Sequence, residues 1–366
     1  MIRVLVVEDS PVVRDFLVHI LGADSEIRVV ATARDGEEAL DAVQRWKPDL
    51  VTMDIHMPKM NGLDATRRIM QTYPTPIVVV TGSSNAREVA TAFHAMEAGA
   101  LAVVERPTGL GHPQHESTAA ELVQTVKLMA EVKVVRRWAR LRPKVASPTA
   151  PPPAEVVVRR APGEIKIVAI GASTGGPLAL QTILMGLSKD FPVPVVIVQH
   201  IAPGFIQGLV DWLEQTCSFF IHLATHDEPM LSGHVYVAPD GFQMKVARTG
   251  RICLAKEQPE NGLRPSVSCL FRSVADAYGP SAIGVLLTGM GKDGAAELKL
   301  MKEKGAITIA QDEESSVVHG MPGEAIQLEA ATYVLPPDRV ADALTSLVNR
   351  TSNQRPHGTE TARNRP

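Results

Sequence analysis

The chain has 366 residues, 45% of them apolar and 21% charged, with a formal net charge of −3. That length exceeds what one core usually supports, so two domains are expected. The near-neutral charge argues against nucleic acid or an anionic membrane as an obligatory partner. In the first ~110 residues, short apolar runs alternate with amphipathic stretches of helical period. Ile2–Val7 reads as a strand and 11–22 as a helix, with Pro11 near its start and Gly22 near its end. Strands follow at 27–33, 50–53, 76–81 and 102–105, with helices at 37–46, 63–71 and 87–98 between them. Strands alternating with helices predict βαβ units and a parallel sheet covered on both faces.

From Glu121 to Arg140 the pattern is helical and increasingly basic. Residues 142–162 then carry Pro143, Pro148, Pro151, Pro152, Pro153 and Pro162, the composition of a semi-extended linker. A second alternating pattern begins at Ile165. Its strand candidates are 165–170, 193–198, 235–238, 282–288, 306–310 and 332–335. The expected division is 1–120, a first domain; 121–163, a helix and Pro-rich linker; 164–350, a second domain; and 351–366, a polar, disordered tail. Both domains are expected to be α/β with doubly wound parallel sheets. The three cysteines, Cys217, Cys253 and Cys269, form no C-x-x-C pair and suit a reducing compartment. The first apolar run is too short for a signal peptide, and no run reaches the ~18 apolar residues of a membrane helix. A cytoplasmic protein without membrane insertion is expected.

Chemistry-bearing residues fall at strand ends. Glu8 and Asp9 close the first strand, Asp54 follows the third, Thr81 ends the fourth, and Arg106 follows the fifth. In an open parallel sheet such residues meet just beyond the carboxyl ends of the strands. Three carboxylates converging there repel one another unless a cation sits among them, and hard oxygen ligands suit Mg²⁺. Mg²⁺ beside a carboxylate is also what phosphoryl transfer onto that carboxylate requires. Thr81 could then donate to the phosphate and Arg106 pair with it.

In the second half, an apolar strand runs into Gly171-Ala172-Ser173-Thr174-Gly175-Gly176-Pro177 and then a helical stretch. G-x-S-x-G on a strand–turn–helix exposes a serine as a nucleophile. Helix N–H groups stand ready for an anionic intermediate. The same turn could cradle a nucleotide phosphate. His200 follows the next strand, and Asp293 lies just after 282–287. Nucleophile, base and orienting acid would then share one sheet edge. Their order, Ser…His…Asp, differs from that of the α/β-hydrolases.

Residues 1–109 resemble the receiver domain of two-component response regulators. The resemblance is carried by V-L-V-V-E-D-S at 4–10, D-I-H-M-P-K-M-N-G at 54–62, V-V-T-G at 79–82 and G-A-L-A-V-V-E-R-P at 99–107. It implies a flavodoxin-like fold, Asp54 as phosphoacceptor, Glu8, Asp9 and Asp54 around Mg²⁺, and Thr81 as switch hydroxyl. This chain has Arg106 where receivers carry Lys, and Val103 where they often carry an aromatic residue. Arg is bulkier and planar, so the first exchange is not conservative.

Residues 165–348 resemble the chemotaxis protein-glutamate methylesterases. The motifs are I-G-A-S-T-G-G-P at 170–177, V-Q-H-I-A-P-G-F at 198–205, V-A-P at 237–239, R-P-S-V at 264–267, L-T-G-M-G-K-D-G-A at 287–295 and G-M-P-G-E-A at 320–325. The resemblance implies an α/β serine hydrolase with Ser173, His200 and Asp293 as triad. It also implies the Met290 N–H as an oxyanion donor, with Thr174 and Met321 lining the pocket. The implied reaction is hydrolysis of glutamate γ-methyl esters on methyl-accepting chemoreceptors, with glutamine deamidation by the same path and no cofactor for the esterase. A chemotaxis-type histidine kinase is the implied phosphodonor. Two departures, Ser268 in place of Asp after R-P-S-V and Gly241–Met244 in place of a His-bearing segment, point to altered substrate-groove detail. A receiver fused to a hydrolase is expected to cover the Ser173 groove until Asp54 is phosphorylated. Rival readings are a regulator with a vestigial hydrolase site, a nucleotide-binding enzyme, and a DNA-binding regulator. The strands and serine turn of the second half argue against the last.

Overall fold

The computed structural model describes residues 1–82, 86–132, 134 and 164–352. The expected Pro-rich linker, the basic part of the helical stretch expected to reach Arg140 and most of the expected tail lie outside them. Two parallel sheets organise the chain.

The first sheet contains β1 (Ile2–Val7), β2 (Ile27–Ala33), β3 (Leu50–Met53), β4 (Ile77–Thr81) and β5 (Ala102–Glu105) in the order β2-β1-β3-β4-β5. Its helices are α1 (Pro11–Gly22), α2 (Gly36–Trp46), α3 (Gly62–Thr72), α4 (Ala86–Glu97) and α5 (His115–Ala130). Ser10, Asp35 and Asn61 cap α1, α2 and α3 with side-chain acceptors, which is why these helices start where they do. Leu122, Val126 and Met129 of α5 are buried in the same cluster as Val4, Val6, Val78 and Val80. The first domain therefore reaches Ala130, beyond the boundary expected at 120.

The second sheet has seven parallel strands in the order β14-β13-β12-β6-β7-β9-β8. They are β6 (Ile167–Ala172), β7 (Val195–Gln199), β8 (Phe220–Leu223), β9 (His234–Val237), β12 (Ala282–Leu286), β13 (Ile307–Gln311) and β14 (Tyr333–Leu335). An antiparallel pair, β10 (Gln243–Val246) and β11 (Ile252–Ala255), lies apart from it. Six helices complete the domain: α6 (Gly176–Gly186), α7 (Ile206–Thr216), α8 (Val267–Tyr278), α9 (Ala295–Glu303), α10 (Met321–Gln327) and α11 (Pro337–Ser352). β6, β7, β12 and β13 are buried along their whole length, as strands covered on both faces must be. β8 and the β10–β11 pair were not foreseen. All three are only four residues long; His222 interrupts β8 and Gln243 and Lys245 interrupt β10, while β11 is apolar but too short to stand out as a strand. Helix α11 extends through Ser352, into the expected tail.

The domains pack together through α4 and α7. Val89, Ala90, Phe93 and Met96 of α4 share one buried cluster with Leu209, Trp212 and Leu213 of α7. Phe93 and Trp212 stack with ring centroids 5.7 Å apart. Glu97 Oε1 accepts from Trp212 Nε1 at 3.1 Å and from Gln181 Nε2 at 2.9 Å.

Candidate active site

In the second sheet the chain steps from β6 through β7 to β8 and β9 on one side, then returns to build β12, β13 and β14 on the other. The strand order reverses at β6 and β12, where open α/β sheets place their ligands. Ser173 leaves β6 at that point, and its N–H donates to Thr288 O at 3.0 Å. Gly175, at φ +81°, makes the left-handed turn into α6, a conformation that costs a glycine little. His200 follows β7, with its N–H on Ala172 O at 2.9 Å. Ser173 and His200 line one groove, together with Thr174, Gln199 and Ile201.

Asp293 lies on the loop after β12 and is 5% exposed. Its Oδ2 is 2.9 Å from His200 Nε2, with the ring turned so that this N–H does not point straight at the oxygen. Such imperfect alignment is usual before substrate binds. The carboxylate also sits at the start of α8. Val267 N donates to Oδ2 at 2.6 Å, while Ser266 Oγ and Ser268 N donate to Oδ1 at 3.0 and 3.1 Å. Burial opposes ionisation, but His200 and the donors of Ser268 and Val267 outweigh it and hold the carboxyl at about 2. Ser268 is therefore tied to the Asp293 loop, since its Oγ also accepts from Gly294 N and donates to Glu297. Gln243, from the other departing segment, accepts from Ser266 N at 2.8 Å and so supports the same helix start. The sequence had assigned both segments to the substrate groove.

Of the other residues expected at the pocket, Thr174 lines this groove, while Met290 and Met321 are not among its lining residues. Thr288 Oγ1 donates to Thr174 O at 2.9 Å. Met321, fully buried at the start of α10, donates its N–H to Gly289 O at 2.9 Å. Met290 is 48% exposed, and its Sδ is 3.9 Å from Gln124 Nε2 of α5. The first domain thus faces this groove, which Phe93, Met96, Val103, Glu121 and Thr125 also line. Burial, with Glu105 as a second cause, raises the Glu121 carboxyl above its usual range.

The first sheet has its own reversal between β1 and β3, and the acidic residues gather there. Carboxylate oxygens of Glu8, Asp9 and Asp54 all lie within 4.8 Å of one another. Burial, then the charge of Asp54, pushes Glu8 up to about 7. Burial and Asp9 also raise Asp54. Carboxyls that resist ionisation together are a donor set fit for a divalent cation. Thr81 is buried at the end of β4 and accepts Arg106 N at its carbonyl, 2.8 Å away. The Arg106 guanidinium folds over Gly82, where a Cβ would collide with it. Val103 packs against the cores of both domains.

The family model for CheB methylesterase matches residues 168–344, and that for the response regulator receiver domain matches residues 4–112. A protein-glutamate methylesterase/protein-glutamine glutaminase of Nitrosospira multiformis is 60% identical over 351 residues, 95% of this chain and 97% of that protein. A relative of the same name from Geobacter metallireducens is 58% identical, over 95% of this chain and 99% of its own length. Among solved structures, the catalytic domain of Thermotoga maritima CheB methylesterase is 40% identical, covering 50% of this chain and 100% of that one, with a TM-score of 0.49. Relatives this similar over almost their whole length show that the chain belongs to the CheB family of protein-glutamate methylesterases, with an N-terminal response regulator receiver domain.

Proposed function

We propose that this protein hydrolyses glutamate γ-methyl esters on methyl-accepting chemoreceptors, deamidates receptor glutamines by the same route, and does so in the cytoplasm under control of phosphorylation at Asp54. The observation that carries the reading is the approach of His200 to a buried, ionised Asp293, on the sheet edge from which Ser173 emerges.

In this reading Ser173 Oγ attacks the ester carbonyl carbon. His200 Nε2 faces Asp293, so Nδ1 takes the serine proton. Asp293 orients the ring and stabilises the imidazolium. The oxyanion draws on the Met290 N–H and the N-terminal end of α6. His200 then protonates the leaving group, releasing methanol from an ester or ammonia from an amide. Water, activated by the same imidazole, cleaves the acyl-serine and restores the enzyme. Thr174 and Met321 shape the pocket.

Glu8, Asp9 and Asp54 would hold Mg²⁺, which supplies charge neutralisation during phosphoryl transfer. A chemotaxis-type histidine kinase donates the phosphoryl group to Asp54. Thr81 and Arg106 answer the new charge. Packing of α4 and α5 over the groove supports a gate that phosphorylation loosens, for which a few kcal/mol between two states suffice.

Incubation with methyl-labelled receptor, with and without Mg²⁺ and a small-molecule phosphodonor, tests both halves. Methanol release should disappear in Ser173→Ala. In Asp54→Ala it should persist at the basal rate and ignore the phosphodonor. Full activity in Ser173→Ala would refute the triad, and an unaltered phosphodonor response in Asp54→Ala would refute the switch.

A further inference from the structure

The side-chain amide of Gln199 joins the turn bearing Ser173 to the turn bearing His200. β6 and β7 pair in parallel up to Ala172 and Gln199, and His200 N to Ala172 O is the next main-chain link. Beyond it the strands end and the turns diverge. Gln199 is 2% exposed. Its Nε2 donates to Ser173 O and to His200 O, each at 2.8 Å. An amide nitrogen has two hydrogens, and both go to the carbonyls of these two residues. Reversing the amide would set Oε1 against two carbonyl oxygens, so its orientation is determined. The cost falls on Oε1, which is buried with no hydrogen-bond partner, beside Gly176, where a Cβ would collide with it.

Gln311 provides the comparison. It ends β13 as Gln199 ends β7, and it is 1% exposed. Its Oε1 accepts from Thr288 N at 2.8 Å, and its Nε2 donates to Ser315 O and Oγ at 3.0 and 3.1 Å. Both ends of that amide are paired, and it reaches Ser173 only at one remove, through Thr288, whose carbonyl accepts from Ser173 N.

We infer that Gln199 is a positioning residue for the hydrolysis: its amide fixes the separation of the Ser173 and His200 turns, so that proton transfer between the two side chains needs no rearrangement. This role rests on the reading of Ser173 as nucleophile and His200 as base. Gln199 acts through their backbones and touches no reacting atom.

The test uses the full-length protein and a fluorophosphonate, with the adduct located by mass spectrometry. Wild type, Ser173→Ala, Gln199→Met, Gln199→Glu and Gln311→Met are compared for modification rate from about pH 5 to about pH 9 and for thermal unfolding midpoint. Met keeps the length of the side chain and removes the donors. Gln199→Met should slow modification of Ser173 about 100-fold, the scale of a 1 Å misplacement, whereas Gln311→Met should slow it less than about 5-fold. In Gln199→Glu an ionised carboxylate repels both carbonyls, while the protonated acid can donate to one. Its rate relative to wild type should therefore climb as pH is lowered. A ratio that does not change with pH would overturn the positioning role. So would a Gln311→Met defect as large as that of Gln199→Met, or loss of folding by circular dichroism in both Gln199 variants. If Ser173→Ala reacts as wild type does, the nucleophile assignment fails, and the positioning role fails with it.

Discussion

Asp293 is an ionised carboxylate in a buried place, which only its partners make tolerable. Its carboxyl is held at about 2 by His200 and by donors at the start of α8, against the effect of burial. A folded-state value below the unfolded one means that this stabilisation is complete above about pH 4 and is lost as pH falls toward 2. The fall from 3.8 to about 2 corresponds to about 2–3 kcal/mol. The unfolding midpoint of wild type should thus exceed that of Asp293→Asn at neutral pH, with the gap closing between about pH 4 and pH 2. Esterase kcat of Asp293→Asn should drop about 10³- to 10⁴-fold, as expected when the base loses its orienting charge. Glu8 behaves in the opposite sense. Its carboxyl is pushed up to about 7, chiefly by burial and then by Asp54. The folded state therefore holds a proton that the unfolded state releases, and without metal this stabilisation is lost as pH rises from about 4.5 through 7. Melting in a chelator should show that decline, and Mg²⁺ should reverse it above pH 7 and leave the melt at pH 5 nearly unchanged. A Mg²⁺ effect independent of pH would exclude Glu8 from the site.

At the level of elements, helix N-termini do two kinds of work. Those of α1, α2 and α3 are capped by local side chains. That of α8 is capped by Ser266, which accepts from Cys269 N and also donates to Asp293. The first turn of α8 thus turns its N–H groups and positive dipole end toward the Asp293 carboxylate. Ser266→Ala should cost about 1–2 kcal/mol of stability from the lost cap. It should also reduce kcat more than it raises KM, because Asp293 loses one of its three donors from this turn. Denaturant melts and steady-state kinetics on one preparation would separate the two effects. An unchanged kcat would confine Ser266 to stability. The strand-end triad candidates Ser173, His200 and Asp293 were legible in the sequence because apolar runs predict where strands stop. The roles of Ser266, Ser268 and Gln243 were not, since their partners lie 23 to 27 residues away and no local period signals them. Gln199 did leave a signal: a polar residue closing the otherwise apolar run Val195–Gln199.

For the whole molecule, the decisive contact is between domains. The α4 face that carries Phe93, Ala90 and Met96 packs into the same cluster as α7, and α5 brings Glu121 and Thr125 to the Ser173 groove. If this packing restrains the esterase, Phe93→Asp, which places a charge against Trp212, should raise unstimulated methanol release and shrink the phosphodonor effect. An unchanged or lower basal rate in a folded Phe93→Asp protein would show that this contact does not restrain the site. Removal of residues 1–160 should act in the same direction.

Two α/β domains, the acidic strand ends of the first and the serine turn of the second could all be read from the sequence alone. Each depends on local order: apolar runs form strands, and residues at strand ends gather at one sheet edge. The extension of the first domain through α5, the capture of Asp293 by the start of α8 and the seating of α4 on α7 were decided by tertiary structure. They join segments far apart in the chain, and such contacts follow from packing geometry and the pairing of buried polar groups rather than from periodicity.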